Sequence, residues 1–294
     1  MLKRSRLAIA MSLSAAVLCG CGGAAEPTGG AETAQPSRAA AAKDKKHQFE
    51  AAKADCMKQK GFKYVPYVKP EDKSEDTRKR NSGDYQAMRK YRAKYGFGRF
   101  AIHVYPTEGP DAQAEMDPNV KIQEDLSPAQ NDAYNKAINV CMVTAGKQAL
   151  GLTLKSRMDY YNQLGLARKR AKAAELDGDP RLVELTGPMA TCLKGKGYSV
   201  TDTKPTAMNL RGDEEFGRQQ DKLGRAQQKN LPDDEKRTSG SFIMPELTPE
   251  AAKPYLAKEI KAALDDLECG KDFYATYVPK EAALEQKIND QFAF

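Results

Sequence analysis

Through most of the chain, apolar residues return at helical spacing, every third or fourth position. That period predicts helices over residues 43–60, 84–95, 128–146, 156–176, 180–196, 249–273 and 279–292. A polar stretch over 205–228 also reads as helix, interrupted by Gly212, Gly217 and Gly224. The period changes to two in GFGRFAIHVYP, 96–106, where Phe100, Ile102 and Val104 alternate with Ala101 and His103. This is the best strand candidate, and the runs FKYVPYV and YSV lean the same way. Residues 108–125 and 229–246 carry no period and read as loop. The expected fold is mainly α with a few short strands.

The first residues depart from this pattern. Lys3, Arg4 and Arg6 precede an apolar run from Leu7 to Leu18. A bilayer span needs about 20 apolar residues, so this run is too short to cross and fits a secretory leader. It ends in Leu18-Cys19-Gly20-Cys21, which has the form of a bacterial lipobox. Gly20 supplies the small residue before Cys21, whereas Cys19 would follow the bulky Leu18. The reading is cleavage after residue 20 and a diacylglyceryl thioether on Cys21, with a secreted chain bearing an unmodified cysteine as the alternative. Two acyl chains suffice for stable anchoring. Residues 22–42 are small and polar, and cannot bury enough surface to offset their ordering entropy. They read as a tether. The expected organisation is therefore a leader (1–20), a lipidated cysteine with its tether (21–42), and a helical domain (43–294).

Four further cysteines, Cys56, Cys141, Cys192 and Cys269, suit a disulfide framework in an exported chain. A repeated phrase bears on their pairing. CMKQKGF at Cys56–Phe62 returns as CLKGKGY at Cys192–Tyr198. Each lies at a helix end, with glycine as the stop and an aromatic after it. Each is followed by a helix that opens Leu-Ser/Thr-Pro, a hydroxyl cap with proline at the first turn, and carries another cysteine. The economical pairing is Cys56–Cys141 and Cys192–Cys269, in two related helical halves of about 43–152 and 153–294. A cross-link of Cys56 to Cys192 stays open, as does chance likeness between lysine-rich helix ends.

Composition narrows function mainly by exclusion. The formal charge of +7 falls to +4 once the leader is removed, too little to argue for nucleic acid. There is no tryptophan, and a thin core would lean on disulfides. The two histidines, His47 and His103, stand apart, and no cluster with metal-ligand spacing appears. No nucleophile elbow or phosphate loop is present. Asp265, Asp266 and Glu268 read as the solvated face of a helix. No catalytic residue, cofactor or metal is assigned. One basic set could meet an anionic polymer or a headgroup surface: Arg78, Lys79, Arg80, Arg89, Lys90 and Arg92, interleaved with Tyr85, Tyr91 and Tyr95. Arg168, Lys169, Arg170 and Lys172 form a second set.

With the lipobox and tether, three segments carry a resemblance: SPAQNDAYNKAI (127–138), the stretch from Asp179 to Tyr198, and EIKAALDDLEC (259–269). The chain resembles a family of actinobacterial lipoproteins without an assigned activity. The resemblance implies location and a helical fold, and carries over no catalytic residue. The expected protein is held on the outer face of the cell membrane by Cys21. It binds a cell-wall component or another envelope protein without catalysis. Two alternatives are a wall-polymer hydrolase with paired carboxylates and the solute-binding lipoprotein of a transporter.

Overall fold

A computed structural model describes residues 38–108, 116–228 and 242–294. The leader, the lipobox with Cys21 and the tether up to residue 37 lie outside the described residues. Within them the chain is helical: α1 (Arg38–Gln59), α2 (Glu75–Asn81), α3 (Tyr85–Tyr95), α4 (Ala101–Val104), α5 (Pro118–Glu124), α6 (Pro128–Leu150), α7 (Arg157–Glu175), α8 (Pro180–Gly195), α9 (Pro205–Gln228), α10 (Pro249–Cys269) and α11 (Lys271–Phe292). The starts of the long helices are written locally. Ser127 and Gln130 form a reciprocal capping box at α6. Asp179 accepts from Arg181 N and Leu182 N at α8, and Thr248 accepts from Ala251 N at α10. Proline occupies the first turn of all three, where no amide donor is needed.

The repeated phrase is a repeated stop. At the end of α1, Phe62 N donates to Met57 O and Gly61 N to Lys58 O, with Gly61 at φ +82°. At the end of α8, Tyr198 N donates to Leu193 O and Gly197 N to Lys194 O, with Gly197 at φ +88°. Glycine holds this left-handed position without a Cβ penalty. The chain joins Cys56 to Cys141 and Cys192 to Cys269, with Cα separations of 5.4 and 5.5 Å. Each bridge thus ties a phrase helix to its capped partner, α1 to α6 and α8 to α10. The two pairs nonetheless share one core. Its largest cluster includes Phe49, Met88 and Met142 from the first half and Leu182, Met189 and Tyr274 from the second.

Mainly α stands; the short strands do not. Among the described residues there is no strand. The segment read as the best strand candidate instead makes a turn over 96–100 and the short α4. Its amides are taken by a side chain: Glu259 Oε1 accepts from Phe97 N and Arg99 N, and Oε2 from Phe100 N, all at 2.8 Å. With these three amides spent on one carboxylate and those of His103 and Tyr105 on the carbonyls of Phe100 and Ala101, the segment is committed to turns and not to a ladder. Gly96, at φ +61°, lies so close to Glu259 that a Cβ would stand 2.7 Å from its Cγ. The FKYVPYV and YSV runs are irregular. Part of the expected loop 108–125 forms α5, capped by Asp117, and α2 is a further element the period did not predict. Helix α9 runs unbroken through its glycines. Gly212 lies under the Phe97 ring and Gly224 under the Ile243 carbonyl, where a Cβ would stand 2.1 and 2.2 Å away. These glycines admit close neighbours instead of ending the helix. The expected loop 229–246 lies outside the described residues up to 241.

Candidate functional site

The six-residue basic set does not form one face. Arg92 points inward from α3. Its Nη1 donates to Asp266 Oδ1 at 2.8 Å and to Ala263 O at 3.1 Å, and its guanidinium lies over the Tyr274 ring at 4.4 Å. Arg211 holds the other carboxylate oxygen at 3.2 Å, and Tyr274 donates to Oδ1 at 2.5 Å. The Asp266 side chain is 1 % exposed, against 12 % for Arg92 and 9 % for Arg211. This corrects two expectations: Arg92 is unavailable to a polymer, and Asp266 is not on a solvated face. An amphipathic helix brings some charges inward when a partner charge waits there.

The remaining five are unequal. Lys79 pairs with Glu75 at 2.7 Å, and Lys90 with Asp76 at 2.8 Å. Arg80 lies on the Tyr91 ring at 4.3 Å and donates to Thr77. Arg78 and Arg89 are exposed without a partner among the described residues. In the second set, Arg168 and Lys172 are engaged across to α11 by Glu285 and Glu281. His103 lies 3.3 Å from the amide nitrogen of Gln220, and burial lowers its pKa. His47 is exposed on α1. Among the described residues no cluster of three His, Cys, Asp or Glu could hold a metal, and no helix is long and apolar enough to cross a membrane.

A cleft of about 420 Å³ lies between α1, the 67–71 segment, α7 and the end of α11. Its size falls within the range of small-molecule sites. Lys46, Phe49, Glu50 and Lys53 line it from α1, at positions one face of a helix presents together. Phe49 stacks on Tyr160 with ring centroids 5.8 Å apart, and Tyr161 meets Tyr160 edge-on at 5.2 Å. Tyr160 is fixed by donating to Phe292 O at 2.7 Å. Tyr161 is 47 % exposed and Phe294 51 %, leaving two aromatic surfaces at the mouth. Gln286 and Asn289 add amides, and Asn289 Oδ1 accepts from Arg168.

One charge pair is built into the wall. The Lys53 ammonium lies 2.5 Å from Glu50 Oε1, 4.9 Å from the Phe49 centroid and 5.4 Å from that of Tyr64. Tyr64 donates to the other Glu50 oxygen at 2.8 Å. Burial first, and then the Glu50 charge, push the Tyr64 hydroxyl far above its ordinary range. Lys53 and Glu50 are therefore satisfied by each other, and Lys46 is the cleft cation on α1 with no partner among the described residues.

Comparison with protein-family models, curated proteins and solved structures gave no match.

The cleft was not read from sequence. Its signals were present in the Lys46/Phe49/Glu50/Lys53 spacing and the Tyr160-Tyr161 doublet. Both also suit an ordinary core-facing helix. Only the approach of α11 to α1 turns them into a cleft.

Proposed function

We propose that this chain is a lipid-anchored protein of the cell envelope, held by Cys21 on the outer face of the membrane, and that it binds a cell-wall saccharide in the α1–α11 cleft without catalysis. The lipobox motivates the anchor, and the resemblance to actinobacterial lipoproteins agrees with it. The two disulfides suit an oxidising compartment. The ligand reading is carried by the cleft: exposed rings at its mouth, amides beside them and an unpaired lysine on its rim. A sugar ring presents apolar C–H faces to aromatic side chains and hydroxyls to amides. A carboxylate or phosphate on the saccharide would meet Lys46. The hydrolase alternative needs two free carboxylates poised around a bond; of the two that line the cleft, Glu50 and Glu71, Glu50 is engaged by Lys53 and Tyr64. The solute-binding alternative rests on buried parallel strands, and no strand is found among the described residues.

Co-sedimentation of the mature chain with purified cell wall tests this reading. Binding should weaken about tenfold or more in Tyr161→Ala, a truncation of an exposed aromatic anchor. No binding at any salt would sink it. Loss in Arg78→Ala/Arg89→Ala with Tyr161→Ala unaffected would move the site to the basic face. Release of soluble fragments would revive the hydrolase.

A further inference from the structure

From Lys43 to Gln48, in its second and third turns, α1 has no buried residue. Phe49 is the first buried residue of this helix among the described side chains, and Lys43, Lys45 and Lys46 precede it exposed or half-exposed. None has an acid partner among the described residues; Asp44 stands among them, and Glu50, one turn on from Lys46, is taken by Lys53 and Tyr64. At about 100° per residue the three lysines sit at roughly 0°, 200° and 300° around the axis, within about 4.5 Å along it. They form a ring at one depth instead of a stripe. A helix lying flat on a bilayer gathers its cations along one side. A ring near one end suits a helix that meets a charged surface head-on.

The chain before α1 says which surface. Residues 21–37 separate the lipobox cysteine from the helix, and seventeen residues reach at most roughly 60 Å even when fully extended. An acyl anchor on Cys21 keeps the lysine ring within reach of the headgroups. We propose that Lys43, Lys45 and Lys46 are a second, electrostatic membrane contact that takes anionic phospholipid headgroups and stands α1 upright on the bilayer. The proposal rests on the anchoring reading given above. Since Lys46 also lines the cleft, the contact would hold the cleft at the headgroup level.

The test uses the chain starting at residue 21 with Cys21→Ala, which removes the acyl group, and vesicles of phosphatidylcholine with or without phosphatidylglycerol. Binding is expected only with phosphatidylglycerol and should vanish in high salt. Each Lys→Ala change should weaken it about fivefold, and the triple variant roughly a hundredfold. Lys58→Ala/Lys60→Ala/Lys63→Ala, the same loss of charge at the far end of α1, should leave it unchanged. Equal loss in both triple variants, binding without phosphatidylglycerol, or no binding would overturn the proposal. Mass spectrometry of the N-terminal peptide from membranes tests the anchor separately. An acylated Cys21 with no vesicle binding by the Cys21→Ala chain sinks the lysine ring alone, and an unmodified Cys21 sinks the anchor alone.

Discussion

Asp266 is the residue on which most buried charge converges. Two guanidiniums and a tyrosine hydroxyl reach its carboxylate. Removing the negative charge leaves two arginines buried against each other, the costly way to break such a cluster. Asp266→Asn should therefore lose about 3–5 kcal/mol in urea denaturation. Arg92→Met added to that chain should restore part of the loss. Its neighbour Asp265 is an acid-sensitive group. Burial works to raise its pKa, but hydrogen bonds from Lys261, Tyr198 and Lys196 outweigh it and hold the carboxyl well below its ordinary range. A depressed folded pKa gives stability that is present above the unfolded value of about 3.9 and is lost as pH falls through the folded one. Melting temperature should thus drop on acidification below about pH 4, and less steeply in Tyr198→Phe. At this scale the sequence was a poor guide. Asp265, Asp266 and Glu268 look alike as letters, yet Asp266 is buried, Asp265 is clasped and Glu268 is exposed. The fate of Asp266 depends on α3 and α9, and that of Asp265 on the end of α8, all from distant parts of the chain.

Helix boundaries were far more legible, because they are written in neighbouring residues. Ser127-Pro128, Asp179-Pro180 and Thr248-Pro249 each cap and start a helix, and Gly61 and Gly197 end one. The repeat also predicted the cysteine partners, since each bridge needs only one phrase helix and one capped helix. The 96–106 segment failed for the opposite reason. Its alternating pattern is local, but the carboxylate that takes its amides lies on α10. Glu259→Ala should leave three donors orphaned, at about 1–3 kcal/mol each. Amide exchange at Phe97, Arg99 and Phe100 should accelerate about tenfold or more in that variant. Unchanged exchange would mean that other groups hold the turn. Opening Cys192–Cys269 by a double serine change should lower stability by about 4 kcal/mol, given its sequence separation of 77. A similar loss is expected for Cys56–Cys141, with a separation of 85.

At the scale of the whole molecule, two halves were expected and one shared core is found. The halves are genuine as local pairs, α1 with α6 and α8 with α10. However, α3 from the first half packs against α10 from the second, and α11 returns to α1 and α7. A repeat in sequence reports only the contacts each copy makes within itself. The interlocking of the copies lies in their non-repeated faces, such as the Arg92–Asp266 contact between α3 and α10. For the same reason the cleft, which joins α1 to α7 and α11, leaves no mark of its own in the pattern.

The bridges also decide how the molecule would carry a mechanical load. If, as proposed, the domain is tethered at one end and bound to a rigid wall, it is pulled whenever the two move apart. Tension that enters through the first turn of α1 crosses directly to α6 at Cys56–Cys141, so the 85-residue span between those cysteines, about 290 Å of extended chain, cannot be drawn out. Cys192–Cys269 locks away about 260 Å more. Ahead of the first bridge, the turns of α1 before Cys56 are, among the described residues, the part left to unravel.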